Sequence, residues 1–161
     1  LIDDPELSIS VEVSDAKIRF TIADIVITSK LIDGTFPDYQ RVIPENNDKK
    51  LLLNCQNFAN AVDRVATISS DRVRAVKLVM THNQLTLNVN NPDSGNAIEE
   101  IAVNYDDVDL DIGFNSKYLL DITNQLSGEE AIFMFADSGS PALVQEMDGD
   151  DALYVLMPMR V

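Results

Sequence analysis

The chain has 161 residues, 45% of them hydrophobic and 24% charged, proportions typical of a globular protein that can bury a core. Its formal net charge of −15 argues against nucleic-acid binding by bulk electrostatics, because phosphate contacts need clustered Lys and Arg. No apolar run reaches the roughly 18 residues of a membrane-spanning segment. The single cysteine, Cys55, cannot form an internal disulfide, which favours a reducing, cytoplasmic location.

The N-terminal part of the chain predicts three short strands followed by a linker. The strand segments are apolar or alternate apolar and polar side chains, and they cover residues 8–13, 17–22 and 25–30. Residues 33–50 contain a glycine, two prolines and a polar, charged run, which is typical of a linker. We therefore expect two domains, with a boundary between residues 1–44 and residues 45–161.

A helix is predicted directly after the linker, over residues 54–70. Asn54 can cap its first turn. Phe58, Val62 and Val65 lie at positions i, i+4 and i+7 and form one apolar stripe, while polar residues occupy the other side. The pattern predicts a helix that packs one face against a core.

Four strands are predicted after this helix. They cover residues 76–80, 85–89, 99–105 and 108–114. A turn at His82-Asn83 joins the first two. In the last strand, Val108, Leu110 and Ile112 are expected to face the core, while the aspartates between them face water.

A second helix is predicted over residues 115–128. Asn115 or Ser116 can cap its start, and Gly128 lies where the helix is expected to stop. Three more strands complete the chain, at residues 131–135, 142–146 and 153–159.

The order of the strands shows a weak internal repeat. Residues 10–34 and residues 132–160 both run as strand, Asp/Ser turn, strand, polar break and strand. Self-similarity of this kind indicates a repeated architecture. Residues 1–32 are therefore expected to be the last strands of an incomplete domain, and residues 50–161 a complete one.

The isolated reactive residues do not indicate an enzyme. Cys55 lies in the first turn of a predicted helix, where a thiolate is favoured, but its only possible histidine partner, His82, lies in a predicted turn. A structural thiol and a solvated histidine are the simpler interpretations. No Gly-rich phosphate loop or nucleophile elbow is found in the sequence, so we predict a non-catalytic protein without cofactor or metal.

One alternative function rests on the acidic segment at residues 106–111. Its alternate carboxylates, Asp107, Asp109 and Asp111, could serve a carboxylate-based, metal-dependent hydrolase. The simpler interpretation is a solvated strand face, because side chains two apart on a strand point to the same side.

Two apolar stretches, residues 36–44 in the linker and residues 154–161 in the tail, leave a question open. Each could be part of the core, or each could stay accessible so that a partner can bind. Met157 and Met159 are flexible and polarisable, which suits a surface that accepts several ligands. Pro158 lacks a backbone donor and fits the end of a strand.

Four separated blocks carry a resemblance to a known family. They are SKLIDGTFPDYQRVIP (29–44), DRVRAVKL (71–78), IGFNSKYLLDI (112–122) and YVLMPMRV (154–161). Together they closely resemble the bacterial β sliding clamp family, the processivity subunit of the replicative DNA polymerase. The resemblance implies an α+β DNA-clamp fold, with antiparallel sheets and two inner helices per domain. It implies that the chain comprises the end of the middle domain and the complete C-terminal domain.

The resemblance also implies a ring that encircles duplex DNA. In the family, two subunits close head to tail as a homodimer and tether the polymerase by topology, without reading the DNA sequence and without catalysis. Arg64 and Lys117 would face the DNA in this arrangement. Thr67 and Ile68, with the strand around residues 98–104, would lie at the ring interface.

A peptide-binding pocket is the last implication of the resemblance. Family partners (the replicative polymerase, the clamp loader and repair proteins) insert a Gln-Leu-x-Leu-Phe-like peptide between the middle and C-terminal domains. The matching positions are Pro37, Arg41, Val42, Val73, Asn115, Tyr118, Val155, Leu156, Met157, Pro158, Met159 and Arg160. Val73 stands where the family can have Phe, and Gly139 and Pro141 stand where it can have Val and Ser. The first half of the middle domain, expected to supply the opposite wall, is not part of this sequence.

Overall fold

The computed structural model describes residues 8–69, 74–147, 149 and 152–161. These residues belong to two compact units, Leu1–Asp38 and Tyr39–Val161. Each unit has its own antiparallel sheet structure, as the α+β prediction requires.

Residues 8–38 of the first unit contain a three-stranded antiparallel sheet. Its strands are β1 (Ile9–Val13), β2 (Lys17–Ile22) and β3 (Ile25–Lys30), in that spatial order, and they confirm the three predicted strands to within one residue. Among the described residues of this sheet, Ile22 is buried. Many of its apolar side chains are exposed: Ile9, Val11, Val13, Ile25, Val26 and Ile27.

The described residues of the second unit form two helices and two four-stranded antiparallel sheets. In chain order, its elements are a 3-10 turn (Tyr39–Arg41), β4 (Lys49–Asn54), α1 (Cys55–Ala66), β5 (Ala75–Thr81), β6 (Gln84–Asn91), β7 (Gly95–Ala102), β8 (Leu110–Asn115), α2 (Ser116–Thr123), β9 (Glu130–Phe135), β10 (Ala142–Glu146) and β11 (Tyr154–Leu156). The strand orders are β11-β10-β9-β4 in one sheet and β7-β6-β5-β8 in the other.

Helix α1 begins where its cap predicts, but it ends at Ala66 and not at residue 70 as predicted. The Asn54 side chain accepts a hydrogen bond from the Asn57 backbone N–H at 3.0 Å, which satisfies one of the free donors of the first turn. Phe58, Val62 and Val65 are all buried, and the Phe58 ring packs edge-on against Phe133 of β9 with centroids 5.3 Å apart. The predicted stripe is therefore confirmed as the core face of the helix.

Helix α2 is shorter than predicted. Asn115 caps it by accepting the Lys117 N–H at 2.9 Å, as expected, but the helix ends at Thr123 and not near Gly128. The next residue, Asn124, donates its N–H back to Leu120 and Ile122, which closes the last turn. Residues 124–129 then form the connection to β9.

Strand β4 was missed in the sequence, because the polar linker pattern was extended through residue 50. Leu51 and Leu53 are buried and the strand pairs along its length with β9. Val108 was also misplaced: it lies in a bend before β8 and its surface is 64% exposed. The final strand is limited to β11, four residues shorter than the predicted segment 153–159.

Both sheets have an edge that is covered by a backbone bridge to the other part of the unit. Leu52 of β4 bridges Asn104, which follows β7, and Gly113 of β8 bridges Met159, which follows β11. Bridges at these positions satisfy backbone groups that an open sheet edge would leave unpaired.

Candidate functional site

The C-terminal tail crosses from one sheet of the second unit to the other. Strand β11 ends at Leu156, which is buried at 4% exposure in the core. Pro158 has no N–H to donate and follows the strand, as predicted. The Met159 N–H then donates to the carbonyl oxygen of Gly113 in β8 at 2.8 Å. The tail is thus anchored at both ends of the crossing.

A groove of about 590 Å³ lies beside this tail. Tail residues 158–161 form one wall, and Ser138 and Gly139 contribute from the loop between β9 and β10. Residues 111–113 of β8 and Lys77 of β5 complete the lining. Its size is within the range of small-ligand and peptide sites.

The charged side chains that line the groove differ in whether they form an ion pair. Lys77 Nζ lies 2.6 Å from Asp111 Oδ2, so these two groups neutralise each other across neighbouring strands. Arg160 is exposed, and no ion pair to it is found among the described residues. The groove therefore presents one available guanidinium beside the half-buried Pro158 and Met159.

A hydrogen-bonded turn at residues 137–140 holds the loop wall of the groove. Asp137 Oδ1 accepts the N–H groups of Gly139 and Ser140 at 2.8 and 2.7 Å, and the Ser140 hydroxyl donates to Asp137 Oδ2 at 3.0 Å. These donors, with the Gly139 N–H first, lower the pKa of Asp137 from its ordinary value. The ionised carboxylate is therefore the form that orders this wall.

The tail positions assigned to the pocket differ in accessibility. Met157 is 62% exposed, Val155 is half-buried, and Leu156 belongs to the core. The groove beside the tail gathers Pro158, Met159 and Arg160 from the predicted set.

Four further pocket positions of the second unit do not line this groove: Arg41, Val42, Asn115 and Tyr118. Asn115 is half-buried and serves as the cap of α2, while Tyr118 on that helix is 53% exposed. Arg41 and Val42 are exposed in and after the 3-10 turn, and Pro37 is exposed in the first unit. Val73 falls outside the described residues.

Both cations expected to face DNA are engaged with carboxylates. Arg64 of α1 makes a two-pronged ion pair with Glu99 of β7, with Arg64 Nε 3.0 Å from Glu99 Oε2. This guanidinium lowers the pKa of Glu99. Lys117 Nζ lies 3.0 Å from Asp121 Oδ2, one turn along α2. Phosphate contacts by either side chain would compete with these pairs.

The two residues assigned to the ring interface follow α1. The Thr67 hydroxyl donates to the Asp63 carbonyl at 3.1 Å, and the Ile68 carbonyl accepts from the buried Asn91 side chain at 2.7 Å. Asn91 thereby fixes the end of α1 against β6. Strand β7, at the end of its sheet, exposes Ile98.

The reactive residues are placed as their simpler interpretations predicted. Cys55 is buried, and this burial raises the pKa of its thiol, so a thiolate is disfavoured. His82 is exposed in the β5–β6 turn, with Nδ1 3.1 Å from Asp106 Oδ1, and Asn83 beside it takes a left-handed φ of 56°. The predicted turn is confirmed.

The hydrolase alternative is not supported. Asp111 is paired with Lys77, while Asp107 accepts the Val108 N–H at 2.8 Å. Across the part of the chain that the structure describes, no three His, Cys, Asp or Glu side chains are grouped closely enough to hold a metal ion. Among these same residues, no helix has the length and apolar character needed to span a membrane.

The sequence analysis pointed to the β9–β10 loop through Gly139 and the predicted Asp/Ser turn, but it missed the groove residues contributed by β5 and β8. Lys77 and residues 111–113 carry no local signal, because they belong to ordinary strands. The segment Asp137–Ser140 did carry one: an Asp followed by small residues is typical of a turn closed by its own side chain.

Comparisons with known proteins identify the family of this chain. Residues 40–160 match the family described as DNA polymerase III beta subunit, C-terminal domain. The chain is 49% identical over 154 residues to the beta sliding clamp of Caulobacter vibrioides, covering 96% of this chain and 41% of that protein. It is 41% identical to the beta sliding clamp of Pseudomonas putida, covering 100% of this chain and 44% of that protein.

Two solved structures give the same result. A DnaN sliding clamp from Bartonella birtlesii bound to griselimycin has a TM-score of 0.90 at 57% identity, covering 95% of this chain and 41% of that one. A DNA polymerase sliding clamp from Pseudomonas aeruginosa with ligand has a TM-score of 0.91 at 38% identity, covering 99% and 43%. The chain thus spans less than half the length of these relatives.

Proposed function

This chain belongs to the DNA polymerase III beta subunit family, the bacterial beta sliding clamps, and from that premise we propose that it supplies the partner-docking part of a sliding clamp. The complete clamp is a non-catalytic ring that encircles duplex DNA and tethers the replicative polymerase in the bacterial cytoplasm. Residues 1–44 belong to its middle domain and residues 45–161 to its C-terminal domain.

The observation that carries the proposal is the accessible apolar tail beside a groove. Met157 and Val161 are each 62% exposed, although they follow a strand whose last residue is in the core. An extended peptide with apolar anchors can bury such side chains, and Arg160 can bind a carboxylate or carbonyl of the same peptide. This chemistry suits Gln-Leu-x-Leu-Phe-like segments of the polymerase, the clamp loader and repair proteins.

The full set of docking positions extends beyond the tail groove. Arg41 and Val42 from the linker and Tyr118 from α2 are exposed. We assign them to the same docking surface, with Pro37 and Val73 as further members. A peptide that contacts all of them requires the middle domain as its second wall.

Contact with DNA in this proposal is weak and topological. The net charge of −15 and the pairing of Arg64 and Lys117 both limit attraction to phosphate. A ring tolerates weak contacts because closure, and not affinity, keeps it on the duplex. Thr67, Ile68 and the edge of β7 form the contact to a second subunit in the homodimeric ring.

Removal of the tail tests the docking proposal. A fluorescently labelled Gln-Leu-x-Leu-Phe-like peptide is titrated against this chain and against a variant lacking residues 157–161, with polarisation as the readout. We expect saturable binding to the intact chain and loss of at least about tenfold in affinity in the deletion, because apolar anchors carry most of such binding energy.

Two controls make the outcome specific. A peptide with both Leu and the Phe replaced by Ala measures non-specific adhesion, and griselimycin, which binds a Bartonella relative, serves as a competitor. Equal affinity for the intact and the truncated chain would contradict the assignment of the docking site to the tail.

A further inference from the structure

Gly113 stands at the point where the C-terminal tail meets β8, and it is buried on an unexpected face of its strand. Its neighbours Ile112 and Phe114 are buried at 2% and 0% exposure and point into the core. Successive side chains alternate across a strand, so position 113 faces outward, as the exposed Asp111 does. Gly113 is nevertheless buried. The tail is what covers it.

The contact between the tail and Gly113 leaves no room for a side chain. A Cβ built on Gly113 would lie 2.6 Å from both Cγ atoms of Val161 and 2.7 Å from the carbonyl oxygen of Met159. All three distances are below normal van der Waals separation. The oxygen is a backbone atom of the segment that hydrogen-bonds to Gly113, so the clash cannot be relieved by a side-chain rotation alone.

The conformation of Gly113 does not explain the glycine. Its φ is outside the left-handed region that favours glycine, and glycine in a strand interior is otherwise unfavourable. A close approach of another backbone is the physical reason that remains for a glycine in a paired strand.

We propose that Gly113 is a positioning residue for the docking groove: by having no side chain, it lets residues 159–161 lie against β8 and so shapes the tail wall of the groove. The inference rests on the proposed function, because it assigns the placement of the tail to peptide docking. Gly113 does not itself contact the bound peptide. It acts through Met159, Arg160 and Val161.

The substitution Gly113→Ala tests this role, with Gly128→Ala as the matched control. A Cβ on Gly128 meets nothing closer than 3.5 Å, and Gly128 lies away from the tail groove. We expect Gly113→Ala to speed exchange of the Met159 amide by about tenfold or more, because its acceptor contact is lost. The same variant should bind the Gln-Leu-x-Leu-Phe-like peptide at least about tenfold more weakly. Gly128→Ala should change neither value.

A second pair of variants separates placement of the tail from folding of β8. Gly113→Ala is compared in the intact chain and in the chain lacking residues 157–161, with the melting temperature as readout. We expect a lower melting temperature in the intact chain only, since the clash partners are missing from the truncated one. If Gly113→Ala prevents folding of the intact chain but not of the truncated chain, the proposal also holds.

Three outcomes would overturn the proposal. They are unchanged Met159 exchange in Gly113→Ala, unchanged peptide affinity in that variant, and equal loss of stability with and without the tail. Absence of peptide binding to the unmodified chain is a different result: it would refute the proposed function, while amide exchange would still decide whether Gly113 places the tail.

Discussion

At the residue scale, single residues fix the loop wall of the groove, its contact with the tail and the starts of the two helices. Asp137 closes the turn at residues 137–140, and Asn54 and Asn115 cap the two helices. Gly113 acts by the absence of a side chain. Asp137 and Gly113 do not contribute buried apolar side chains, so changes to these two should alter the groove without removing the core.

Asp137→Ala should weaken peptide binding while changing stability little. The variant loses three hydrogen bonds within an exposed turn, and the loop wall carrying Ser138 and Gly139 loses its order. We expect a several-fold higher Kd for the peptide, measured by fluorescence polarisation. This corresponds to a loss of about 0.5–1.5 kcal/mol of binding free energy, the net contribution of one typical hydrogen bond. Asp137→Asn keeps an acceptor at Oδ1 and should recover most of the affinity. Equal affinity in all three chains would show that this wall does not contact the peptide.

At the element scale, the packing of α1 and α2 against the sheets depends on the connections that follow each helix. Asn91 of β6 holds the segment after α1. Glu146, the last residue of β10, accepts the N–H groups of Ser127 and Gly128 in the connection after α2. The Ser127 hydrogen bond, followed by that of Gly128, lowers the pKa of Glu146. This carboxylate therefore links the α2–β9 connection to the end of strand β10.

The stabilisation from Glu146 should disappear in acid. Its carboxyl titrates near 4.5 in the unfolded chain and lower in the folded one, so its contribution is complete above that pH and is lost as pH falls through the folded pKa. We expect Glu146→Gln to lower the melting temperature at pH 7, and we expect the difference from the unmodified chain to shrink as the pH falls below 4.5. Glu45→Gln, at an exposed carboxylate with no hydrogen bond found in the described part of the chain, serves as control. A difference that persists unchanged at low pH would contradict the assignment.

At the scale of the whole molecule, the two units differ in how completely they bury their apolar side chains. The second unit has two sheets bridged at their edges around a core that includes Phe58, Phe114 and Phe133. Within residues 8–38, the first unit exposes most of its apolar side chains. The net charge of −15 opposes tight binding of this chain to DNA, and it does not oppose the proposed docking of partner peptides.

The chain alone should bind duplex DNA only weakly, with a Kd above about 10⁻⁴ M at physiological salt. Fluorescence polarisation of a labelled duplex at several salt concentrations measures this. Glu99→Gln removes the partner charge of Arg64 and should strengthen binding and steepen its salt dependence. Glu100→Gln, one residue along β7, controls for the change in net charge. Tight, salt-independent binding by the unmodified chain would contradict a topological mode of contact.

The sequence by itself determined the elements whose signals are local. The stripe of α1, its Asn54 cap, the His82-Asn83 turn and the three strands of the first unit follow from periodicity and capping within a few residues. The resemblance carried by four blocks led to the correct family and to the clamp fold. Local patterns gave wrong predictions elsewhere. The polar linker pattern hid strand β4, helix α2 ends at Thr123 and not near Gly128, and Val108 lies in a bend before β8.

The tertiary structure alone decided the groove, because its walls come from residues far apart in the chain. Residues 111–113 meet residues 158–161 only after β11 has paired with β10 and the tail has crossed to β8. The pairing of Arg64 with Glu99 likewise joins positions 35 residues apart. Nothing near Gly113 in the sequence indicates that the chain terminus covers it. A glycine is required at position 113 because the Met159 backbone lies against it, and this contact exists only in the folded chain.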